Sequence, residues 1–358
     1  RLGLTGGQFV IRPSVTIEGL SEKERFIAGV TLGKDGSLYV VNIQNDTLYR
    51  LSGENFSRQQ MARVGYRPYA AALAPDGRTL AVSNWGDESV SLLDAETLRE
   101  NQRVRVGNHP NDLVWSRDNR LFVANSGSNS ISVIRDGQVV ETIRTSLDRS
   151  APVGSSPISL AITADGRRLF VANADNNNVA MIDLGNRRES TVLGFIPTGW
   201  YPSAIAVTPD GKRLLVGTGK GGMKLRGNFP ASTEYKIASP DPAKPYDYVG
   251  SQLEGSLSII DIPDRARLAE YTAQVRGNFP NPQEQIDPVH AERIRREVFP
   301  KIKHVLYIIR ENRTYDQVFG DLGKGNGDPN LTLFGEQATP NAHKLARETV
   351  ILDNLYCN

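Results

Sequence analysis

The sequence lacks several features that would reveal its class directly. Its single cysteine, Cys357, cannot form an intrachain disulfide, so cysteine usage does not indicate the redox compartment. No uninterrupted apolar run approaches the ~18 residues that a membrane-spanning helix needs. Lys and Arg number 42 against 40 Asp and Glu, a formal net charge of +2, so no strong field favours nucleic acid or an anionic membrane. We therefore expect no nucleic-acid partner and no membrane span.

The length allows one large domain, or one domain and part of another. The chain has 358 residues, of which 39% are hydrophobic and 23% charged, which is typical of a folded protein with a sizeable core. It begins at Arg1 without a methionine or an apolar leader. We therefore expect that a leader has been removed or that the sequence is a piece of a longer chain, with truncation possible at both ends.

An internal repeat organises most of the chain. Turn dipeptides at 35–36, 76–77, 118–119, 165–166 and 210–211 are spaced by 41, 42, 47 and 45 residues. After each turn comes a short run rich in β-branched and aromatic residues, and a second alternating run follows most of them. The last four turns are preceded, at a constant offset, by Pro68, Pro110, Pro157 and Pro202.

This period predicts a mainly β fold, a β-propeller of four-stranded blades. Five blades are recognisable between about Phe26 and Val275. Because a blade is apolar on both faces, it needs a neighbour on each side, and a ring that stopped short would leave wide apolar faces in water. We therefore expect six or seven blades in the complete ring.

Two stretches, Leu38-Tyr-Val-Val-Asn42 and Leu121-Phe-Val-Ala-Asn125, resemble the YVTN family of propeller repeats found in bacterial surface and periplasmic proteins. The resemblance covers about residues 24 to 275. It implies a propeller and a periplasmic or extracellular location, and it says little about function.

The fifth blade carries a long insertion, residues 219 to 255, between its second and third strands. The strand order predicts that this insertion and the residues preceding each proline share one end of the blades, around the mouth of the channel. We predict a substrate or partner surface there; the alternative is that these side chains are solvated or packing residues. The predicted binding residues are Arg67, His109, Tyr201, Lys224, Arg226 and Tyr246.

Beyond Val275 the repeat stops and the chain changes character. We divide it into a propeller at 1–275, a linker with a short helix at 276–300, and the start of an α/β domain at 301–358. The run Val305-Leu-Tyr-Ile-Ile309 is typical of a strand buried on both faces of a parallel sheet.

The end of this predicted strand carries a candidate metal site. Glu311 and Asn312 lie side by side where ligands collect in open α/β sheets, and carboxylate and amide oxygens suit a divalent cation. The alternative is structural, because Thr314 and Gln317 fit a helix-capping box.

The string Ile309-Arg-Glu-Asn-Arg-Thr-Tyr-Asp-Gln-Val-Phe-Gly320 resembles the opening motif of a phosphoesterase family that includes bacterial phospholipases C and acid phosphatases, in the alkaline phosphatase superfamily. The resemblance implies that Glu311 and Asn312 contribute to a site for a divalent metal ion, which could be Zn, Mn, Mg or Ca. Thr314, Tyr315 and Gln317 stand where many members have Ser, Phe and His. In that family the nucleophile and the other ligands lie further along the chain, so no catalytic residue is assigned here.

The resemblance implies a metal-dependent phosphoesterase in the complete protein, with the propeller as an accessory domain and with this chain inactive alone. The alternative is a periplasmic or surface propeller that binds a protein or ligand without catalysis. A propeller lactonase or a quinone-type oxidoreductase is a third possibility, for which the 4 histidines leave few metal ligands.

Overall fold

A computed structural model describes residues 15–148, 151–185, 189–220, 255–279, 287–311 and 313–353, and the backbone of two short strands before residue 15. The chain divides into a blade unit, residues 1–223 and 254–278, and a C-terminal unit, residues 224–253 and 279–358. The two early strands, β1 (Leu2–Thr5) and β2 (Gln8–Ile11), pair only with each other.

The blade unit contains four four-stranded antiparallel sheets and one three-stranded sheet among the described residues. Blade 1 comprises β3 (Ile27–Leu32), β4 (Leu38–Asn42), β5 (Thr47–Ser52) and β6 (Arg58–Arg63). Blade 2 comprises β7 (Pro68–Leu73), β8 (Thr79–Asn84), β9 (Ser89–Asp94) and β10 (Glu100–Arg105). Blade 3 comprises β11 (Pro110–Trp115), β12 (Leu121–Asn125), β13 (Ser130–Arg135) and β14 (Gln138–Arg144). Blade 4 comprises β15 (Pro157–Ile162), β16 (Arg168–Asn173), β17 (Asn178–Asp183) and β18 (Thr191–Pro197). Blade 5 comprises β19 (Pro202–Val207), β20 (Arg213–Thr218) and β21 (Ser256–Asp261).

The repeated turn residues shape the hairpin between the first and second strands of each blade. In blade 1 the Asp35 carboxylate accepts a hydrogen bond from the backbone N–H of Ser37, 3.0 Å away, and Gly36 takes a φ of 79°. The same side-chain bond recurs at Asp76, Asp165 and Asp210. Aspartate and glycine therefore recur because this turn needs a local acceptor and a left-handed residue.

The asparagine at the end of the second strand in blades 1 to 4 is fully buried and structural, whereas the second strand of blade 5 ends in Thr218. Asn42, Asn84, Asn125 and Asn173 are all 0% exposed. The Asn42 amide oxygen accepts the N–H of Phe26 at 2.9 Å, which ties the second strand to the segment entering the first. A buried amide needs hydrogen-bond partners, and the side-chain N–H group of each of these four asparagines donates at least one hydrogen bond, so asparagine recurs at this position of the repeat.

Successive blades pack through their apolar faces and first strands, as in a β-propeller. β3 contacts β7, β7 contacts β11, β11 contacts β15, and β15 contacts β19. Side chains also join neighbouring first strands: the Trp115 Nε1–H donates to the Ala72 carbonyl at 3.0 Å. The predicted mainly β, blade-type architecture is confirmed.

The end of the blade unit departs from the repeat. After β21 the chain forms a helix, α1 (Arg265–Asn278), which buries Leu268 and Val275 and contacts β18 of blade 4. The Thr272 hydroxyl of α1 accepts the N–H of Phe195 at 2.9 Å. Blade 5 therefore has three strands among the described residues, and Val275, the expected end of the propeller, lies inside a helix.

Among its described residues, the C-terminal unit contains three short α-helices, α2 (Pro288–Glu297), α3 (Tyr315–Phe319) and α4 (Pro340–Glu348). α2 lies where a connecting helix was predicted. The Thr314 hydroxyl accepts the Gln317 N–H at 3.4 Å, so Thr314 caps α3 as the capping alternative anticipated.

The buried strand predicted for Val305–Ile309 is not present. Residues 302–311 form neither helix nor strand, and the five apolar side chains are between 66% and 84% exposed. No strand occurs elsewhere in the described part of the C-terminal unit. An apolar run cannot form the hydrogen-bond ladder of a sheet without neighbouring strands, which explains why the structure differs from the prediction.

Candidate functional site

One end of the blades gathers the residues that precede the repeat prolines. The carbonyl oxygens of Arg67, His109, Ser156 and Tyr201 each accept a backbone N–H from the loop that leaves the second strand of the same blade, at 2.9 to 3.0 Å. This pairing confirms that both loops lie at the same end. We call this end the mouth surface, defined by Arg67, Tyr69, Trp85, His109, Asp175, Tyr201 and Lys220.

The pre-proline residues hold an unusual backbone conformation. Arg67, His109, Ser156 and Tyr201 have φ between 49° and 58°, a left-handed region that side chains other than glycine rarely occupy. Side chains of the preceding blade stabilise two of them. Asp46 accepts the Arg67 N–H and Asn177 accepts the Tyr201 N–H, both at 2.8 Å. The mouth surface is therefore set by backbone geometry as well as by side-chain packing.

Aromatic rings and cations meet on this surface. The His109 ring stacks on Trp85 with centroids 3.9 Å apart and 7° between the planes. The Lys220 ammonium lies 4.9 Å from the Tyr201 ring centroid, and the Arg67 guanidinium lies 5.3 Å from that of Tyr66. Such contacts hold the cations over ring faces without neutralising them.

Tyr201 is influenced electrostatically by groups on two other blades. Burial raises the pKa of its hydroxyl, and the nearby Asp175 carboxylate and Tyr69 hydroxyl raise it further. Tyr69 belongs to blade 2 and Asp175 to the loop after β16 of blade 4. The three groups therefore lie within electrostatic reach of one another.

A second titratable group, Asp112, lies on the first strand of blade 3. Its carboxylate accepts the N–H of Leu160 in blade 4 at 2.7 Å and that of Leu113 at 2.8 Å. Burial raises its pKa, although these hydrogen bonds act in the opposite direction. The sequence prediction missed Asp112. The equivalent repeat positions carry Ala70, Ser159 and Ala204, so a carboxylate at this position was a signal that could have identified it.

Several predicted site residues lie outside the described residues. These are Lys224, Arg226 and Tyr246 of the insertion, and Asn312 of the predicted metal site. Of the predicted binding residues, the structure places Arg67, His109 and Tyr201 at one end of the blades.

The predicted metal site is not assembled by the residues that the structure describes. Glu311 is exposed, and no group of three or more His, Cys, Asp or Glu side chains suited to a metal ion occurs in the described ranges. One exposed carboxylate cannot hold a divalent cation in a protein site. A metal centre at Glu311 requires further ligands besides the described residues.

The C-terminal unit instead contains a polar cluster around one buried histidine that sequence reasoning missed. His343 is 0% exposed, and its Nε2 lies 2.9 Å from Asp321 Oδ1, while its Nδ1 lies 2.9 Å from the Thr339 hydroxyl. Asp321 also accepts the Glu336 N–H at 2.9 Å. The cluster joins α4 to the loops before it.

No known family model matches the chain. Among solved structures, virginiamycin B lyase from Staphylococcus aureus is 12% identical with a TM-score of 0.46, and the match covers 55% of this chain and 64% of that protein. A protein from Lactobacillus plantarum is 20% identical, with a TM-score of 0.45 and coverage of 53% and 63%. The chain therefore spans less than two thirds of the length of these proteins. Because both TM-scores are below 0.5, the assignment of the architecture rests on the sheet topology described above and not on these matches.

Among the described residues no helix is both long enough and apolar enough to cross a bilayer.

Proposed function

We propose that the blade unit is a binding module, and that its mouth surface takes an anionic ligand that carries a planar ring. The observation that supports this most directly is the stack of His109 on Trp85, which lies at the same end of the blades as the rings of Tyr201 and Tyr66 that hold cations. A rigid aromatic face offers stacking area at low entropic cost, and cations on the same surface favour an anionic group on the same ligand.

The charges at this end favour an anion over a cation. Among the described residues, neither Arg67 nor Lys220 forms an ion pair with a carboxylate. Two of the nearby acids are in ion pairs, and the third accepts a hydrogen bond from a hydroxyl. Asp87 pairs with Arg103, Glu88 pairs with Arg105, and Asp175 accepts from the Ser156 hydroxyl. The mouth surface therefore offers donors that an incoming phosphate or carboxylate could satisfy.

Calorimetric titration with phenyl phosphate, inorganic phosphate and phenol tests this proposal. Phenyl phosphate should bind more tightly than either fragment. Lys220→Ala and His109→Ala should each weaken it about tenfold, the equivalent of about 1.4 kcal/mol. Lys212→Ala is a matched control, because Lys212 lies in the turn at the opposite end of blade 5 and should leave affinity unchanged. Equal binding by the wild type and both mouth variants contradicts the proposal.

A second candidate is a metal-dependent phosphoesterase in the complete protein. It is supported by the resemblance of residues 309 to 320 to the phosphoesterase motif. It is also supported by the arrangement along the chain, in which an apolar segment is followed by Glu311 and then by a helix that Thr314 caps. In this proposal Val305–Ile309 lies within a larger sheet, and Glu311 and Asn312 help to bind a divalent cation. The mouth surface would then bind or guide the phosphate ester.

Phosphate release from phenyl phosphate by the full-length protein tests this second candidate. Activity should be lost with a chelator and restored by added Zn, Mn, Mg or Ca. Glu311→Ala should abolish it, while Glu297→Ala, an exposed position on α2, should not. Unchanged hydrolysis in the Glu311 variant rejects the site.

A further inference from the structure

One loop of the C-terminal unit carries an asparagine that is followed directly by glycine. Asn326-Gly327 is the only Asn-Gly dipeptide in the sequence. We call residues 323–328 the Asn-Gly loop; it forms neither helix nor strand, and Asn326 is exposed. Glycine has no side chain to obstruct the approach of its own backbone nitrogen to the preceding side-chain amide, and it leaves the backbone free to bend towards that amide.

Packing requires the glycine at position 327. A Cβ on Gly327 would lie 2.9 Å from the Phe319 carbonyl oxygen and 3.1 Å from the Cα of Gly320, both at the end of α3. Gly325 of the same loop has a φ of 83°, and a Cβ there would lie 2.9 Å from the Tyr315 hydroxyl. The close contact with α3 therefore requires the residue that exposes the Asn326 amide to attack.

The two groups that would react are not held by the fold. Neither the side-chain amide of Asn326 nor the backbone N–H of Gly327 has a hydrogen-bond partner among the described residues. Asn326 is anchored only through its backbone N–H, which donates to Asp353 Oδ2 at 2.7 Å. The amide carbon and the nitrogen that attacks it are therefore free to approach each other within the folded loop.

Asn129 is a matched asparagine that the fold does protect. It precedes a small residue, Ser130, but it is 5% exposed. Its amide oxygen accepts the N–H groups of Gly154 and Ser155 at 3.0 and 2.7 Å, and its amide nitrogen donates to the Pro152 carbonyl at 2.8 Å. Reaction at Asn129 requires these three bonds to break, so it requires local opening.

We propose that Asn326 is a modification site, which deamidates spontaneously in the folded protein and thereby loosens the Asn-Gly loop. The Gly327 nitrogen loses its proton to the solvent and attacks Cγ of Asn326. A bond forms between that nitrogen and Cγ, the bond from Cγ to the amide nitrogen breaks, and the amide nitrogen takes up a proton and leaves as ammonia. Water then opens the cyclic imide at either carbonyl carbon, which gives aspartate or isoaspartate at position 326.

The modification acts on a loop that joins several parts of the C-terminal unit. The Lys324 ammonium donates to three carbonyl oxygens at the end of α4, 2.7 to 3.1 Å away. The Asp328 N–H donates to Asp316 Oδ1 of α3 at 2.8 Å. Either product places a new carboxylate close to that of Asp353, and isoaspartate also lengthens the main chain by a methylene group. Repulsion between like charges should therefore weaken these attachments.

Incubation of the full-length protein at mildly alkaline pH, followed by peptide mass spectrometry, tests the proposal. The peptide that contains Asn326 should gain the mass expected for replacement of NH2 by OH, and its aspartate and isoaspartate forms should separate in chromatography. Conversion at Asn326 should be at least about tenfold faster than at Asn129, and it should stay within about tenfold of its rate in urea-unfolded protein. Asn326→Gln is the control, because its longer side chain would have to close a larger ring, and it should not convert.

The structural consequence is measured by hydrogen exchange on the same samples. The protection factors of the amides of residues 345–348, beside the carbonyls that Lys324 contacts, should fall in aged wild type and in unaged Asn326→Asp. They should not change in aged Asn326→Gln.

Three results would overturn the inference. The first is conversion at Asn326 more than about tenfold slower in the folded protein than in urea, because the fold then protects the site. The second is equally fast conversion at Asn129 in the folded protein, because the described hydrogen bonds then have no influence. The third is full conversion at Asn326 with unchanged protection factors at 345–348, because the loop is then not loosened.

Discussion

The buried asparagines allow the energetic role of the repeat to be measured by comparing two equivalent positions. Asn84 donates to Ser89 Oγ at 2.9 Å and to Ser91 Oγ at 3.0 Å, and it accepts the Gly65 N–H at 3.0 Å. Asn125 makes the same two donations, to Ser130 and Ser132, but its buried amide oxygen has no partner among the described residues. The two sites differ by one hydrogen bond.

Alanine at the two positions should therefore cost different amounts of unfolding free energy. Each lost donation is worth about 1 kcal/mol, and leaving a buried N–H unpaired costs about 1–3 kcal/mol. Asn84→Ala should destabilise by about 3–5 kcal/mol because it orphans the Gly65 N–H. Asn125→Ala should cost about 2 kcal/mol or less, because it also removes an unsatisfied oxygen. The volume removed is equal, so the cavity contribution largely cancels in the comparison.

Thermal unfolding followed by circular dichroism measures the difference. For a unit of this size 1 kcal/mol corresponds to about 2–4 °C in Tm, so the Asn84 variant should melt several degrees below the Asn125 variant. Asn101→Ala, at an exposed position on β10, should change Tm little. An Asn125 variant that is as destabilised as the Asn84 variant, or more so, refutes the assignment of the Gly65 bond as the difference.

Three further outcomes are expected. Phe170→Ala should lower the unfolding free energy in urea by about 3–5 kcal/mol, because the ring is fully buried between blades 4 and 5, and a loss below ~1 kcal/mol would contradict that packing. Burial raises the pKa of Asp112, so the folded state favours its protonated form and stability from this group is lost as pH rises through that pKa. The Tm of Asp112→Asn relative to wild type should therefore increase from about pH 4 to about pH 7, and a flat difference would be inconsistent with a buried carboxylate. The pKa of Asp321 is lowered, first by the Glu336 N–H and then by His343, so its contribution is present at neutral pH and is lost as pH falls below the ordinary aspartate range of about 4. The protection factors of the amides of residues 340–348, which are hydrogen-exchange rates corrected for the intrinsic rate at each pH, should fall on acidification in wild type and should lose that pH dependence in Asp321→Asn.

Much of the blade architecture was predictable because its determinants are local. The turn needs an acceptor and a left-handed residue, and in blades 1 to 4 the second strand ends in a buried asparagine that forms local hydrogen bonds. Residues such as Asp35, Gly36 and Asn42 therefore recur in most of the units in the sequence. α1 was not predicted, although Leu268, Tyr271 and Val275 have helical spacing, because the expectation of a repeating strand took precedence over it.

The site was only partly predictable. Repeat position placed Arg67, His109 and Tyr201 at one end, since strand direction alternates in a known way. The stack of His109 on Trp85 joins loops of two different blades, so no spacing within one repeat could indicate it. Asp112 could have been found as the one carboxylate at its repeat position, but its burial depends on Leu160 of the next blade.

The sequence by itself determined the five blades that the described residues form, the pairs of strands within them and the loops that share an end, because backbone turns and alternating side chains act over a few residues. Only the tertiary structure decided which polar groups are buried and which apolar surfaces stay exposed. The apolar side chains of Val305–Ile309 and of Ile259 are of the type that strands usually bury, yet they are exposed. Burial depends on a neighbouring sheet, which the local sequence cannot supply.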